Sequence, residues 1–154
     1  MFIDKDAEFS ATQLVTATAI STNVIDLQAG GALGAPTLQN IGAGKDVFLN
    51  ILVSGVVTAA GAATVTFSLE SDSTADLATS ATVHWTSTAI GKATLVAGYK
   101  VITLALPIEK RYERYLGVRY TVATGPLTSV SSFSAWLSQG VQTKDVYAAG
   151  YTVL

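Results

Sequence analysis

The chain contains no cysteine, which excludes a disulfide framework, a thiolate metal site and a thiol nucleophile. It has a single histidine, His84, so a histidine-based zinc site would need carboxylates or water for every other ligand. Charge is scarce too. Asp, Glu, Lys and Arg make up 13% of the 154 residues, with 9 basic against 11 acidic side chains and a net charge of −2. That share is about half the usual ~25%. The balance gives no broad basic surface for nucleic acid, and the scarcity leaves few electrostatic means of keeping copies apart. Such a composition predicts a surface partly covered by other subunits.

Length points to one domain. Met1-Phe2-Ile3-Asp4-Lys5-Asp6 sets charges where a secretory signal needs a basic start and an apolar core, so no signal is read there. Residues 47–69 carry no charge and are long enough to cross a bilayer. Asn50, Ser54, Gly55, Thr58, Gly61 and Thr64 interrupt that run, and its second half alternates with a period of two. This predicts a hairpin around an Ala/Gly-rich turn, and no membrane partner.

Alternation recurs along the chain, and helical stripes do not. Val65, Phe67 and Leu69 oppose Thr64, Thr66, Ser68 and Glu70; Ala81, Val83 and Trp85 oppose Thr82, His84 and Thr86; Leu116, Val118, Tyr120 and Val122 oppose Tyr115, Gly117, Arg119 and Thr121. Ile102, Leu104 and Leu106, then Phe133, Ala135 and Leu137, continue the pattern; residues 47–57, 15–19 and 24–27 supply further strands. Gly- and Pro-bearing stretches at 30–36, 42–44, 59–62, 97–98 and 124–126 separate the runs. The expectation is an all-β fold, residues 1–154 forming a single antiparallel β-sandwich or jelly roll of about eight strands. Segments 1–11 and 140–154 read as extended arms.

Catalytic chemistry has little to draw on. No serine stands in a nucleophile-elbow context. A phosphate cradle ending at Gly44-Lys45 would need glycine at Gln39 and Ser or Thr at Asp46. Residues 70–76 offer several oxygens but lack the spacing of a calcium loop, and read as an acidic hairpin tip. His84 falls on the polar face of its strand, as a solvated or interface histidine. We therefore assign no catalytic, cofactor-binding or metal residue.

The one dense charge cluster is Glu109-Lys110-Arg111-Tyr112-Glu113-Arg114-Tyr115, with Arg119 just beyond. Arginine interleaved with tyrosine suits phosphates and bases, but the glutamates cancel much of the charge, and Arg and Tyr are equally enriched at protein contacts. Alternation sends Trp136 outward among serines, as an interface anchor or a sugar platform; a bulge or a second covered face would bury it. Phe2, Ile3, Tyr147 and Tyr151 are apolar for free tails. The predicted interface set is thus Phe2, Ile3, Arg111, Tyr112, Arg114, Arg119, Trp136, Tyr147 and Tyr151.

Three segments carry a resemblance. Residues 16–27 (TATAISTNVIDL), 58–69 (TAAGAATVTFSL) and 115–127 (YLGVRYTVATGPL) resemble, in order, those of the capsid cement or decoration proteins of tailed bacteriophages. The resemblance implies a jelly-roll protein without catalysis that binds the outer surface of an icosahedral capsid and bridges major capsid protein subunits. It also implies location on the virion after synthesis in the bacterial cytoplasm. Self-association as a homodimer or homotrimer would match the symmetry axes of a shell. A carbohydrate-binding β-sandwich and a phage tail or head-completion protein are the alternative expectations.

Overall fold

The computed structural model describes residues 3–28, 41, 46–107 and 111–140. Runs rich in Thr, Val and alternating apolar residues suit a pleated surface, and among the described residues they form ten strands. These are β1 (Glu8–Leu14), β2 (Ala19–Ile20), β3 (Ile25–Asp26), β4 (Val47–Gly55), β5 (Thr64–Asp72), β6 (Thr82–Thr86), β7 (Ile90–Gly91), β8 (Lys100–Ala105), β9 (Tyr115–Ala123) and β10 (Ser132–Gln139). One sheet runs β1-β10-β4-β8 and the other β2-β9-β5-β6, with β3 also on β9 and β7 also on β5. Every pairing is antiparallel. The ten strands therefore occupy eight lanes, four per sheet, in the nested order of a jelly roll. The expected all-β sandwich is what the chain forms.

The inward sets predicted from alternation make the core. Val65, Phe67 and Leu69 of β5 and Leu116, Val118 and Tyr120 of β9 face Leu49, Ile51 and Val53 of β4 and Phe133, Ala135 and Leu137 of β10. Phe67 packs edge-on to Phe133 at 5.2 Å, and Tyr120 stacks on Phe133 at 5.3 Å, an aromatic trio that bridges the two sheets. The Tyr120 hydroxyl donates to Ser10 Oγ at 2.8 Å. Burial pushes its phenol well above the ordinary value, against the opposing pull of that bond.

Two local readings need correction. Strand β1 begins at Glu8, inside the segment read as an arm, and Phe9 is fully buried in the core. Its alternation is broken by two register shifts against β10 and by Thr12 in the left-handed region (φ 52°), so period two is lost locally. In β6 a shift between Leu69 and Glu70 of the partner strand keeps Trp85 against the core, turns Val83 outward and buries His84. His84 is therefore not solvated.

The registers sort the connections to two ends. Leu14 and segments 15–18, 56–63, 92–99 and 124–131 gather at one end; the 3-10 turn Lys5–Ala7, β3 and segments 73–81 and 111–114 gather at the other.

Candidate interaction surfaces

The second end is charged, and most of its polar side chains are already engaged. Arg114 meets Asp26 through two bonds, Nε to Oδ1 at 3.0 Å and Nη2 to Oδ2 at 2.9 Å, and lies 4.9 Å over the Tyr115 ring. This contact clips the start of β9 to β3. The Arg114 guanidinium beside Asp26 holds that carboxyl below the usual carboxylate range, and Asp26 raises Arg114 in turn. Arg119 Nε donates to Glu70 Oε2 at 2.7 Å, its Nη2 donates to the Leu77 carbonyl, and Ser68 Oγ donates to Glu70 Oε1 at 2.6 Å. Tyr112 is half-buried, with its hydroxyl on the Pro107 carbonyl at 3.0 Å, and burial pushes its phenol up to about 12. Of the predicted cluster, Arg111 is exposed, while Tyr112, Arg114 and Arg119 hold the fold together.

Segment 73–81 is anchored over the outer face of the β9 sheet. Leu77 is buried in a left-handed backbone (φ 50°), where a leucine persists only because its surroundings fix it. It sits over Gly117: a Cβ there would meet Leu77 Cδ1 at 2.6 Å and Val24 Cγ1 at 3.1 Å. Asp72, also buried, draws the loop in. Burial alone would raise its pKa, but bonds from the Ser80 and Thr74 backbone N–H groups and the Ser80 and Ser73 hydroxyls hold it below the usual range. The acidic hairpin tip is a self-satisfied turn. Among the described residues no three His, Asp or Glu side chains come together to hold a metal.

Trp136 sits on the outer face of its sheet, opposite Asn50, yet it is only 3% exposed. The expected exposed anchor is therefore buried. Its neighbours on that face, Asn50, Leu52 and Ser138, are buried too, Asn50 Nδ2 donates to Ser138 Oγ at 2.8 Å and Thr103 Oγ1 donates to Asn50 Oδ1 at 3.1 Å. A cleft of about 400 Å³ beside it is lined by Ile3, Ala11, Leu52, Ser134 and Trp136, among others. Among the described residues the indole N–H has no acceptor, a cost of about 1–3 kcal/mol. With so little ring surface open, Trp136 offers no stacking platform for a sugar. Phe2, Tyr147 and Tyr151, also predicted here, lie outside the described residues.

His84 makes a contact that spacing alone could not reveal. Its Nε2 is 2.6 Å from Ser71 Oγ, which also accepts the Glu113 backbone N–H at 2.9 Å, and its ring lies 4.4 Å from that of Tyr112. A serine–histidine pair is a nucleophile only where substrate reaches the hydroxyl. Ser71 is fully buried, so the pair fastens segment 111–113 to β5 and β6.

The opposite end holds what the sequence reading missed. Segments 14–18, 55–63, 87–99 and 123–131 contain one formal charge, Lys92, and its Nζ is folded back on the Ala59 carbonyl at 2.5 Å. Four large apolar side chains stand out from this end: Leu14 (62% exposed), Val130 (54%), Val56 (43%) and Val96 (51%). Leu14 ends β1 and the others come from three different connections, which is why no window of sequence displays them together.

These features define a jelly roll whose polar side chains largely serve its own loops at one end and whose other end, among the described residues, is poor in charge: Lys92 is folded back on the backbone and Lys100 is exposed where β8 leaves that end. The family model Bbp16 matches residues 9–137, and the chain belongs to this family of phage structural proteins. The match spans both sheets and both ends. No curated protein matches the chain.

Proposed function

We propose that this protein is a virion cement protein: it binds the outer surface of an icosahedral phage capsid and strengthens it by bridging major capsid protein subunits. It acts by binding and not by catalysis, and needs no cofactor. The observation that carries this reading is the segregation of charge. A chain that must stay apart from its neighbours spreads charge over its whole surface, whereas among the described residues charge is gathered toward one end, part of it in the pairs Arg114–Asp26, Arg119–Glu70 and Lys5–Glu8, and the other end is left poor in charge and apolar. Membership of a phage structural family supports location on the virion.

The mechanism is linkage. A protein that binds only the assembled, expanded shell stabilises that state in proportion to the logarithm of its occupancy. A rigid body suits the role, because a sandwich closed on a packed core transmits load without first having to order itself. Copies arrayed on a symmetric lattice, associating as dimers or trimers about its axes, add avidity.

The test is to mix the purified protein with expanded heads that lack it and to measure their resistance to heat or force. The reading requires binding and a gain in resistance; heads that neither bind it nor gain strength would reject it.

A further inference from the structure

We infer that the neutral end is the foot that meets the shell, and that the surface it meets is itself apolar and uncharged. This rests on the cement reading above, and adds to it a direction and a chemistry.

The register places the four exposed apolar residues in a row. Leu14 closes β1 opposite Ser132, and the Val15 N–H donates to the Ser131 carbonyl at 3.0 Å, next to Val130. Ser132 pairs with Gly55, which precedes Val56, and a Cβ at Gly55 would lie 2.5 Å from the Val130 carbonyl oxygen. The Val57 N–H donates to the Leu95 carbonyl at 3.0 Å, next to Val96. In space the order is therefore Leu14, Val130, Val56, Val96, following lanes β1, β10, β4 and β8. With lanes roughly 4.8 Å apart, the row is about 14 Å long.

The backbone beneath the row is satisfied internally. Leu127 N–H donates to the Thr16 carbonyl at 2.9 Å, Thr128 N–H to the Thr58 carbonyl at 2.8 Å and Gly98 N–H to the Val53 carbonyl at 2.8 Å. Hydroxyls of Thr58 and Thr128 bond each other across two loops. The row's side chains are therefore free for contact on a framed base, which lowers the ordering cost of docking.

Area and charge select the occupant. A sandwich end four lanes wide and two sheets deep offers roughly 300–400 Å², about half of what each partner gives to a standard stable interface. Two copies meeting end to end in solution would make only a transient contact. The same foot on a surface repeated hundreds of times is strengthened by avidity, provided that surface adds no unpaired charge to be desolvated. The charged end is the poorer foot: Asp4, Asp6, Asp46 and Asp76 are exposed there and would lose hydration on contact.

Binding to expanded heads stripped of this protein tests the assignment, using Val56→Asp, Val130→Asp and Leu14→Asp, with Thr79→Asp at the charged end as the control and melting temperature to verify folding. Each foot variant is expected to weaken binding at least tenfold, and Thr79→Asp less than twofold. Independently of any variant, raising NaCl from 50 to 500 mM should change wild-type affinity less than about threefold, because no ion pair is broken. Foot variants that bind like wild type, or a wild-type affinity that collapses in salt, would overturn the foot while leaving the cement reading intact. Variants that bind heads normally but lose self-association would reassign the row to contacts between copies. A wild-type protein that ignores the heads altogether fails the cement reading itself.

Discussion

At the Asp26 end of the sandwich, side chains close the loops; at the Val130 end, the backbone does. Arg114 grips Asp26, Arg119 spans Glu70 and the Leu77 carbonyl, and Asp72 gathers four donors. The other end ties loop to loop with main-chain bonds such as Val15 to Ser131, Val57 to Leu95 and Thr128 to Thr58. The difference decides what each end has to spare. Where polar side chains are spent internally, what is left for an outside partner is mostly hydrated carboxylate, since Asp4, Asp6, Asp46 and Asp76 are exposed there. Where the backbone satisfies itself, the side chains above it are unconstrained, and here they are leucine and valine.

The comparison breaks most sharply at its two kinds of leucine. Leu77→Ala at the charged end should cost about 2–5 kcal/mol, because the cavity over Gly117 cannot close around a loop held in a left-handed turn. Leu14→Ala at the neutral end should stay within about 0.5 kcal/mol, as surface substitutions do. Urea denaturation of both variants measures this. Equal costs would mean that the neutral row is part of the fold and not a surface held in reserve.

Next in size is Arg119→Ala. It leaves the nearly buried Glu70 carboxylate with Ser68 alone, and breaking such a pair costs several kcal/mol when fully buried. With Arg119 a quarter exposed, solvent discounts this to about 1–3 kcal/mol. Adding Glu70→Gln should restore part of the loss, since no orphaned charge then remains. A double-mutant cycle on the four proteins reads the coupling; additivity would show that Arg119 acts through its bond to Leu77 and not through the ion pair.

How much of this was legible beforehand follows from what alternation encodes. Period two tells which face a side chain occupies, and it assigned the core of β4, β5, β9 and β10 without knowledge of pairing. It does not tell what lies over a face, so Trp136 on the outer side of the β10 sheet is buried against expectation, beside Leu52. It also fails where a bulge adds a residue, which is why Val83 and His84 exchanged roles and why β1, polar and twice shifted, read as an arm. The neutral row was invisible for a different reason. Its members are 14, the last residue of β1, and 56, 96 and 130 in three loops; they lie far apart in sequence, and only the jelly-roll order makes them neighbours.

Acid distinguishes the ends in a further way. The Asp72 and Asp26 carboxyls are held below the ordinary range of roughly 4 in the folded chain. A depressed native value contributes stability that is present above the unfolded pKa and lost as pH falls through the folded one. The melting temperature should therefore decline below about pH 4. Asp72→Asn should flatten that decline more than Asp26→Asn, because Asp72 is buried with four donors aimed at it and Asp26 is in part open to solvent. An acid limb unchanged in Asp72→Asn would show that the charged end is not held by this carboxylate.

A small effect is expected at Lys92, the one charge within the loops of the neutral end. Lys92 is half-buried along its stem, and its ammonium rests on the Ala59 carbonyl. Lys92→Met keeps the stem and removes one hydrogen bond from a cation, so stability should fall by about 1–2 kcal/mol at most. If the foot meets an uncharged surface, head binding and its weak response to salt should both survive, because this ammonium is turned inward and is not offered to a partner. If Lys92 were instead the docking group, swinging off Ala59 to reach an acidic site on the shell, Lys92→Met would abolish binding and flatten a steep salt dependence in the wild type. The two outcomes differ in sign on both measurements, so one variant separates a foot that docks by apolar contact from one that docks by a single hidden charge.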